Sequence, residues 1–203
     1  GDSAIRLTAG GSSRVSLAAV GISIFDAVNC GVGFLLEDAA EFASVFEENL
    51  FLSVGSSADH VGVHVTTNEA AMGKLATTFS RNDFNTVAGD GLAVTPGGSV
   101  DGTIVLKDNF FTDTNEVGGE AAIVVGNGNA SANNAIQAVV ADNVVFGGLS
   151  DSILFRQQGG TLAIESDETS ASEAIDSAND FAVTTNRAVK ALQVTVYDKN
   201  QVI

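Results

Sequence analysis

Short apolar runs that alternate with small or polar residues recur along the chain. They cover residues 33–36, 61–65, 91–94, 122–125, 152–155 and 192–196. Alternation with a period of two places every second side chain on the same face of a strand, so these runs predict short β-strands. Gly, Asn, Asp and Ser fill the segments between them, and these residues favour turns and left-handed backbone. Each repeated unit, a run together with the turn residues beside it, is therefore predicted to contain two or three short strands joined by tight turns.

An asparagine recurs in step with these runs. The six positions are Asn29, Asn49, Asn82, Asn109, Asn143 and Asn179, at intervals of 20, 33, 27, 34 and 36 residues. In four of the six copies a phenylalanine follows two residues later, at Phe51, Phe84, Phe111 and Phe181. With 12 Phe in 203 residues, chance would place fewer than one there. The chain is therefore an internal repeat with an average period of 30 residues, and its first and last copies are degraded.

A chain of repeated short strands can pair its strand edges by folding into a solenoid. Each coil leaves its strand edges unpaired, and stacking the next coil roughly 4.8 Å away pairs them. Equivalent residues then form rows along the axis: each Asn bonds the coils beside it, and each Phe points inward and stacks. We expect about six coils.

The pattern apolar-x-apolar-x-x-Asn-x-Phe, followed by a Gly-apolar-x-apolar strand, resembles the right-handed parallel β-helices of the pectate-lyase-like superfamily. The resemblance extends over nearly the whole chain, from Ile5 to Val196. It implies an all-β fold, a right-handed parallel β-helix over residues 1–203, as a single domain or as a segment of a longer solenoid. Lyases, epimerases, phage tailspikes, adhesins and surface proteins share this repeat, so it indicates the fold far more than the function.

Two segments also fit short helices. Residues 36–49 contain strong helix formers, with Phe42, Val45 and Phe46 at helical spacing. Ser170 and Glu173 match a capping box ahead of an apolar pair. We expect either helix to be an excursion from the solenoid rather than a different fold.

Charge and composition limit the classes of partner and the cellular locations that fit this chain. The formal net charge of −16, from 25 acidic and 9 basic residues, disfavours nucleic acid and anionic membrane surfaces. The longest apolar stretch, 15–25, is too short to span a bilayer, so we expect no membrane insertion. The single Cys30 excludes a disulfide scaffold. An extracellular or cell-surface location, bacterial or phage, fits the resemblance.

The resemblance implies a specific chemistry for an enzyme of this fold. β-Helix polysaccharide lyases use Lys or Arg to remove the proton beside a uronate carboxylate, often with Ca²⁺. The candidates for a catalytic base in this chain are Lys107, Arg81 and Arg156.

Acidic residues offer a cation site. Glu48, Arg81 and Asp108 precede ladder asparagines in successive coils, which predicts a solvated row of alternating charges. Asp108 and Asp142 form a like-charged pair that could bind Ca²⁺ with help from Asp83 or Asp176; no other cofactor is expected. His60 and His64 would lie roughly 13 Å apart on a strand, too far to share a metal ion, so we expect two surface or edge histidines.

The aromatic inventory argues against a sugar cleft, because the chain has no Trp and only one Tyr. An acidic surface would also repel uronate polymers. We therefore favour a non-catalytic structural or adhesive module of an extracellular, cell-surface or virion protein, associating with itself or with neighbouring domains. The alternatives are a polysaccharide lyase or epimerase, or a glycan-recognising phage tailspike domain. No amphipathic helix precedes the first strand, so we also expect an exposed strand edge at the start of the solenoid.

Overall fold

A computed structural model describes residues 3–114, 116–127, 131–147, 151–181, 189–192 and 194–197. Within these residues the chain forms three parallel sheets and one helix. The first sheet contains β1 (Ile5–Ala9), β4 (Val32–Leu36), β7 (Val63–Thr67), β10 (Leu92–Thr95), β13 (Ala121–Asn127), β16 (Asp151–Gln157) and β19 (Val189–Leu192). The second contains β2 (Arg14–Val20), β5 (Glu41–Glu47), β8 (Lys74–Ser80), β11 (Asp101–Lys107), β14 (Asn134–Ala141), β17 (Gly160–Glu165) and β20 (Thr195–Tyr197). The third contains β3 (Ser23–Phe25), β6 (Leu50–Val54), β9 (Asp83–Val87), β12 (Phe110–Thr114), β15 (Val144–Phe146) and β18 (Asp180–Phe181).

Consecutive strands in the chain belong to different sheets, and every third strand returns to the same sheet beside its predecessor. This order is that of a parallel β-solenoid with six complete coils of three strands, followed by β19 and β20 in a seventh. The expected all-β parallel solenoid of about six coils is confirmed. The five alternating runs from 33–36 to 152–155 all overlap strands of the first sheet, although residues 61, 62 and 91 precede the strands that their runs enter. The run 192–196 instead joins the end of β19 to the start of β20, with residue 193 outside the described part.

The core is a set of inward-facing rows that run along the solenoid axis. Phe84 stacks between Phe51 and Phe111, with ring centroids 4.7 Å apart on both sides and planes within 5° of parallel. A second pair, Phe46 and Phe79, stacks at 4.8 Å. The spacing of these rings matches the spacing of paired strands, so strand pairing and aromatic stacking reinforce each other.

Residues 36–49 do not form the alternative helix. The segment contains β5, whose side chains alternate between buried Phe42, Ser44 and Phe46 and the exposed or half-buried residues between them. Pairing with both β2 and β8 over seven residues decides the conformation, because a helix would leave both neighbours without partners. The second helix expectation is confirmed: α1 spans Ala171–Ala178, and the Ser170 side chain accepts a hydrogen bond from the Glu173 backbone N–H.

A left-handed residue makes the sharp turn between the second and third sheets. Glu48, Arg81, Asp108 and Asp142 have φ between 53° and 57°, and Gly21 takes the same position in the first coil with φ of 65°. Each is followed by the residue that enters the asparagine row or its equivalent. The turn therefore directs one polar side chain to solvent and the next one into the core.

Candidate functional site

Five asparagines form a continuous row, here named the Asn row: Asn49, Asn82, Asn109 and Asn143, which are buried, and Asn179, which is half-buried. In Asn82, the backbone N–H and the Nδ2 amide both donate to Asn109 Oδ1, at 3.1 and 2.9 Å. The same Nδ2 donates to the Phe46 carbonyl at 2.9 Å. Asn49, Asn109 and Asn143 repeat this arrangement with their own neighbours. The row satisfies buried polar groups within the protein, which is a structural task and not the coordination of a ligand.

Asn29 lies outside this row, which corrects the sequence-based assignment. In the first coil its place is taken by Ile22, whose backbone N–H donates to Asn49 Oδ1 at 2.9 Å. The interval from this position to Asn49 is 27 residues, within the range of the other coils, so the early coil is regular. Asn29 matches the motif by residue type only, because the first coil has no asparagine at this turn.

The phenylalanine row is continuous only in the middle of the solenoid. Phe51, Phe84 and Phe111 occupy successive register positions, with Ile24 before them. Val145 pairs with Phe111 on one side and Phe181 on the other, so Phe181 is separated from the three stacked rings. All six positions point into the core.

The basic candidates each form an ion pair. Arg81 pairs with Glu47 and with Glu48, the latter through Nε at 3.1 Å. Hydrogen bonding to Glu48 and the charge of Glu47 raise the pKa of this guanidinium further, so it is a poor proton acceptor. Lys107 Nζ lies 3.9 Å from Asp142 Oδ2.

Arg156 lies on the first sheet, away from the other two. It binds the carboxylate of Glu120 through both terminal nitrogens, with Nη2 to Oε2 at 2.7 Å. Arg81 and Lys107 are in adjacent coils, where the Arg81 N–H donates to the Lys107 carbonyl at 3.2 Å. The fold thus brings two of the three candidates near each other. Glu120 was missed as a partner, although its separation of 36 residues from Arg156 equals that of Asn143 and Asn179.

Asp108 and Asp142 occupy equivalent left-handed positions in adjacent coils. The Asp108 N–H donates to the Ala141 carbonyl at 3.2 Å, and Lys107 approaches Asp142 from the side. Asp83 is on β9, where burial raises the pKa of its carboxyl. Among the residues that the structure describes, no three His, Cys, Asp or Glu side chains are grouped so as to hold a metal ion. Calcium binding stays a prediction.

A shallow groove of about 860 Å³ runs across the outer face of the second sheet. One side carries Arg14, Glu41, Lys74 and Asp101, which are paired in register and alternate in charge. Arg14 Nε contacts Glu41 Oε2 at 2.9 Å. The floor of the groove consists of small side chains, among them Ser16, Ala43, Ala76 and Thr103. None of the three basic candidates lines this groove.

The two histidines have different surroundings. His60 precedes β7 and accepts a hydrogen bond at Nδ1 from the Ser56 N–H, at 2.9 Å. His64 lies on β7 with Nε2 at 2.9 Å from Thr95 Oγ1, and desolvation lowers the pKa of its imidazole. His64 also borders a cavity of about 290 Å³ with Arg6 and Cys30, which the sequence analysis missed. Neighbouring coils bring these residues together at intervals that no local motif marks.

Among the residues that the structure describes, the core is most exposed at the first coil. Among the described residues, β1, β2 and β3 each have a partner strand on one side only. Ile5 and Leu7, which point toward the core, are each 38% exposed, and Ile22 is 37% exposed. They border an apolar cavity of about 70 Å³. We name this surface, formed by β1–β3 and their inward side chains, the first-coil end; it is a surface that another strand layer would complete.

Comparison with protein families, with curated proteins and with solved structures finds no match to this chain. The assignment as a parallel β-solenoid therefore rests on strand order and register. No helix in the described part of the chain has the length and apolar character needed to cross a bilayer.

Proposed function

We propose that this chain is a non-catalytic structural module: a rigid, acidic β-solenoid of an extracellular, cell-surface or virion protein. We also propose that its coils are right-handed and belong to the pectate-lyase-like superfamily. The observation that carries the functional proposal is that every basic candidate is held in an ion pair on an outward row. A base that removes a proton from a sugar carbon must be free to accept it.

The interior supports a structural role. The Asn row joins five coils through side-chain and backbone hydrogen bonds that are 2.8 to 3.1 Å long. The stacked phenylalanines lie alongside it, and Phe84 and Phe111 are completely buried. Such rows resist bending because each coil can shift only by breaking contacts with both neighbours. A rod of this kind suits a spacer or an assembly unit.

The outer surface fits polysaccharide turnover poorly. The groove over the second sheet is floored by small side chains and has Glu41 and Asp101 on its charged side. A uronate polymer in that groove would meet these carboxylates and the overall charge of −16. Stacking platforms for sugar rings are also scarce, since Tyr197 is the only Tyr and Trp is absent from the sequence.

The decisive experiment is a depolymerisation assay on anionic and neutral polysaccharides, with and without Ca²⁺. Wild type, Lys107→Ala and Arg81→Ala are compared with Arg14→Ala, an exposed arginine outside the candidate set. Folding of each variant is verified by circular dichroism. We expect no product from any of them. Product formed by wild type and Arg14→Ala but lost in Lys107→Ala or Arg81→Ala would overturn the structural proposal in favour of a lyase.

A further inference from the structure

The outer face of the second sheet carries no net charge over its first four strands, although the chain is strongly acidic. The outward positions on β2, β5, β8 and β11 hold three basic and three acidic side chains: Arg14, Lys74, Lys107, Glu41, Glu47 and Asp101. The chain as a whole has a net charge of −16. Two copies of this chain therefore repel each other only weakly where these faces meet.

The charges at the start of these strands alternate in an order that is complementary to its own reverse. Arg14 is in register with Glu41, and Glu41 with Lys74. Lys74 is in register with Asp101, so the order along the solenoid axis is positive, negative, positive, negative. A second copy, rotated about a two-fold axis that is parallel to the strands and lies between β5 and β8, presents the same row in reverse. Arg14 then faces Asp101 of the second copy, and Glu41 faces its Lys74.

The other outward charges of the four strands meet no like charge in this arrangement. Their row runs from Val20 through Glu47 and Ser80 to Lys107. The rotation places Glu47 opposite Ser80, and it places Lys107 opposite Val20. A two-fold axis along the solenoid would instead place Glu41 opposite Glu47, a like-charged contact that disfavours this alternative.

Small and apolar side chains lie between the two charged rows. Ser16, Ala43, Ala76 and Thr103 form the floor of the groove. In the next row, Val45 is 40% exposed. Short side chains allow two sheets to approach to about 10 Å, the distance at which sheets pack face to face. The second copy would then cover Val45 and exclude water from the charged row, which strengthens its ion pairs.

Resting on the proposed structural role, we infer that the outer face of the second sheet binds the same face of a second copy of this chain, with the two solenoid axes antiparallel. Four strands of each chain overlap over about 450 Å² at the usual strand spacing and rise. This footprint is below the standard interface of about 800 Å² per partner. We therefore expect a weak dimer, with a dissociation constant of about 0.1 mM, and monomers in dilute samples. The contact uses the same face on both chains, so it closes at two copies.

The first test is sedimentation velocity of the wild-type chain at concentrations on either side of that dissociation constant, at low and at high salt. We expect a reversible equilibrium between monomer and dimer, with fewer dimers at high salt because salt screens the charged rows. A chain that stays monomeric at every concentration would overturn the inference. A mass that rises past that of a dimer would overturn it as well, because the proposed contact closes at two copies.

Charge reversal locates the contact. Glu41→Lys puts lysines face to face across the two-fold axis, and Lys74→Glu puts glutamates face to face, so each variant alone should dimerise about tenfold more weakly than wild type. Mixed in equal amounts, the two variants should form a heterodimer at least as tight as the wild-type dimer, because every charge in the row then meets its opposite. Mixing cannot rescue a misfolded chain, so the mixture separates loss of contact from loss of fold.

Arg6→Glu is the matched control. It changes the net charge as much as Lys74→Glu does, but Arg6 is an exposed residue of β1 in the first sheet. Arg6→Glu should dimerise like wild type, and mixing it with Glu41→Lys should restore less dimer than mixing Lys74→Glu with Glu41→Lys. Equal dimerisation of Lys74→Glu and Arg6→Glu would overturn the inference, as would a mixture of Glu41→Lys and Lys74→Glu that dimerises no better than either variant alone.

The outcome is separable from that of the structural proposal. Monomers without polysaccharide turnover would overturn the face-to-face dimer and leave the structural role standing. Turnover that depends on Lys107 or Arg81 would overturn the structural role whatever the state of association.

Discussion

The first and fourth coils place equivalent strands in the same sheets but bury their inward side chains to different extents. Ile5 and Leu7 on β1 are each 38% exposed, whereas Leu92 and Val94, at the equivalent positions on β10, are completely buried. The difference comes from neighbours, because β10 is paired on both sides and β1 on one. In a solenoid, the energetic weight of a residue therefore depends on how many coils cover it as much as on its type.

The largest effect is expected from Phe84→Ala in the stacked row. Its ring is completely buried and touches a ring on either side. Removing it should lower the free energy of unfolding by about 3–5 kcal/mol, measured by urea denaturation. Ile24→Ala, at the equivalent position of the first coil, should lower the free energy of unfolding by less than Phe84→Ala does. Phe25→Ala, on the outer face, should change the free energy of unfolding by less than about 0.5 kcal/mol. Equal losses at Phe84 and Ile24 would contradict the comparison.

The next effect is expected from Asn109→Ala in the Asn row. The substitution leaves the Asn82 N–H and amide without their acceptor and the Phe79 carbonyl without its donor. A buried polar group that loses its partner costs about 1–3 kcal/mol, so we expect a loss of about 3 kcal/mol in the same urea assay. Ile22→Asn places an asparagine at the equivalent exposed position and should be nearly neutral. A neutral Asn109→Ala would show that the row contributes little.

A smaller, pH-dependent effect on stability is expected from Asp90, whose place in the first coil is taken by Ser3. Burial raises the pKa of its carboxyl above the ordinary value of 3.8, although the Ala121 and Glu120 backbone N–H groups oppose this. As the pH falls, the folded chain binds this proton before the unfolded chain does, so this carboxyl adds stability toward low pH and loses it as the pH rises through its folded pKa.

Asp90→Asn removes that titration and can keep the side-chain oxygen as acceptor. The advantage of Asp90→Asn over wild type in thermal unfolding should therefore shrink as the pH falls. Asp101→Asn, on the outer face of β11, controls for the loss of one negative charge. An advantage that stays constant with pH, or grows as the pH falls, would contradict the assignment.

The smallest effect is expected from the outward charged rows. Arg81→Ala removes two exposed ion pairs and Arg14→Ala removes one in the first coil. Exposed pairs contribute about 0–1 kcal/mol, so both variants should unfold within about 1 kcal/mol of wild type, with smaller differences at high salt. The loss of stability on substitution in an outward row should thus not depend on the position along the axis, whereas in an inward row it should. A loss from Arg81→Ala as large as that from Phe84→Ala would contradict this.

Much of the fold was predictable because the interactions that build it repeat. Asn49, Asn82, Asn109, Asn143 and Asn179 were identified from a repeated motif, an apolar stretch followed by an asparagine and usually by a phenylalanine two residues later, and each does meet its equivalent in the next coil. The error at Asn29 has a physical cause: the turn of the first coil needs a left-handed residue, Gly21, and a backbone N–H from the next residue, which Ile22 supplies. The row begins with a backbone donor that no side-chain motif records.

The candidate site was less predictable, because it depends on contacts between coils. The spacing correctly suggested that Arg81 lies beside Glu48, but the second partner Glu47 and the Glu120 partner of Arg156 required the actual register. The same holds for residues 36–49, in which Phe42 and Phe46 fit a helix as well as a strand. Hydrogen bonds to β2 and β8 decide between the two.

The sequence by itself determined a stack of parallel coils with asparagine and phenylalanine rows. Alternation and a period near thirty residues leave strand edges that only neighbouring coils can pair. The tertiary structure alone decided which residue begins the Asn row, which carboxylate holds each basic side chain, and how far Ile5 and Leu7 are exposed. These properties depend on coil length, turn conformation and the number of covering neighbours, which are relations between residues about thirty positions apart.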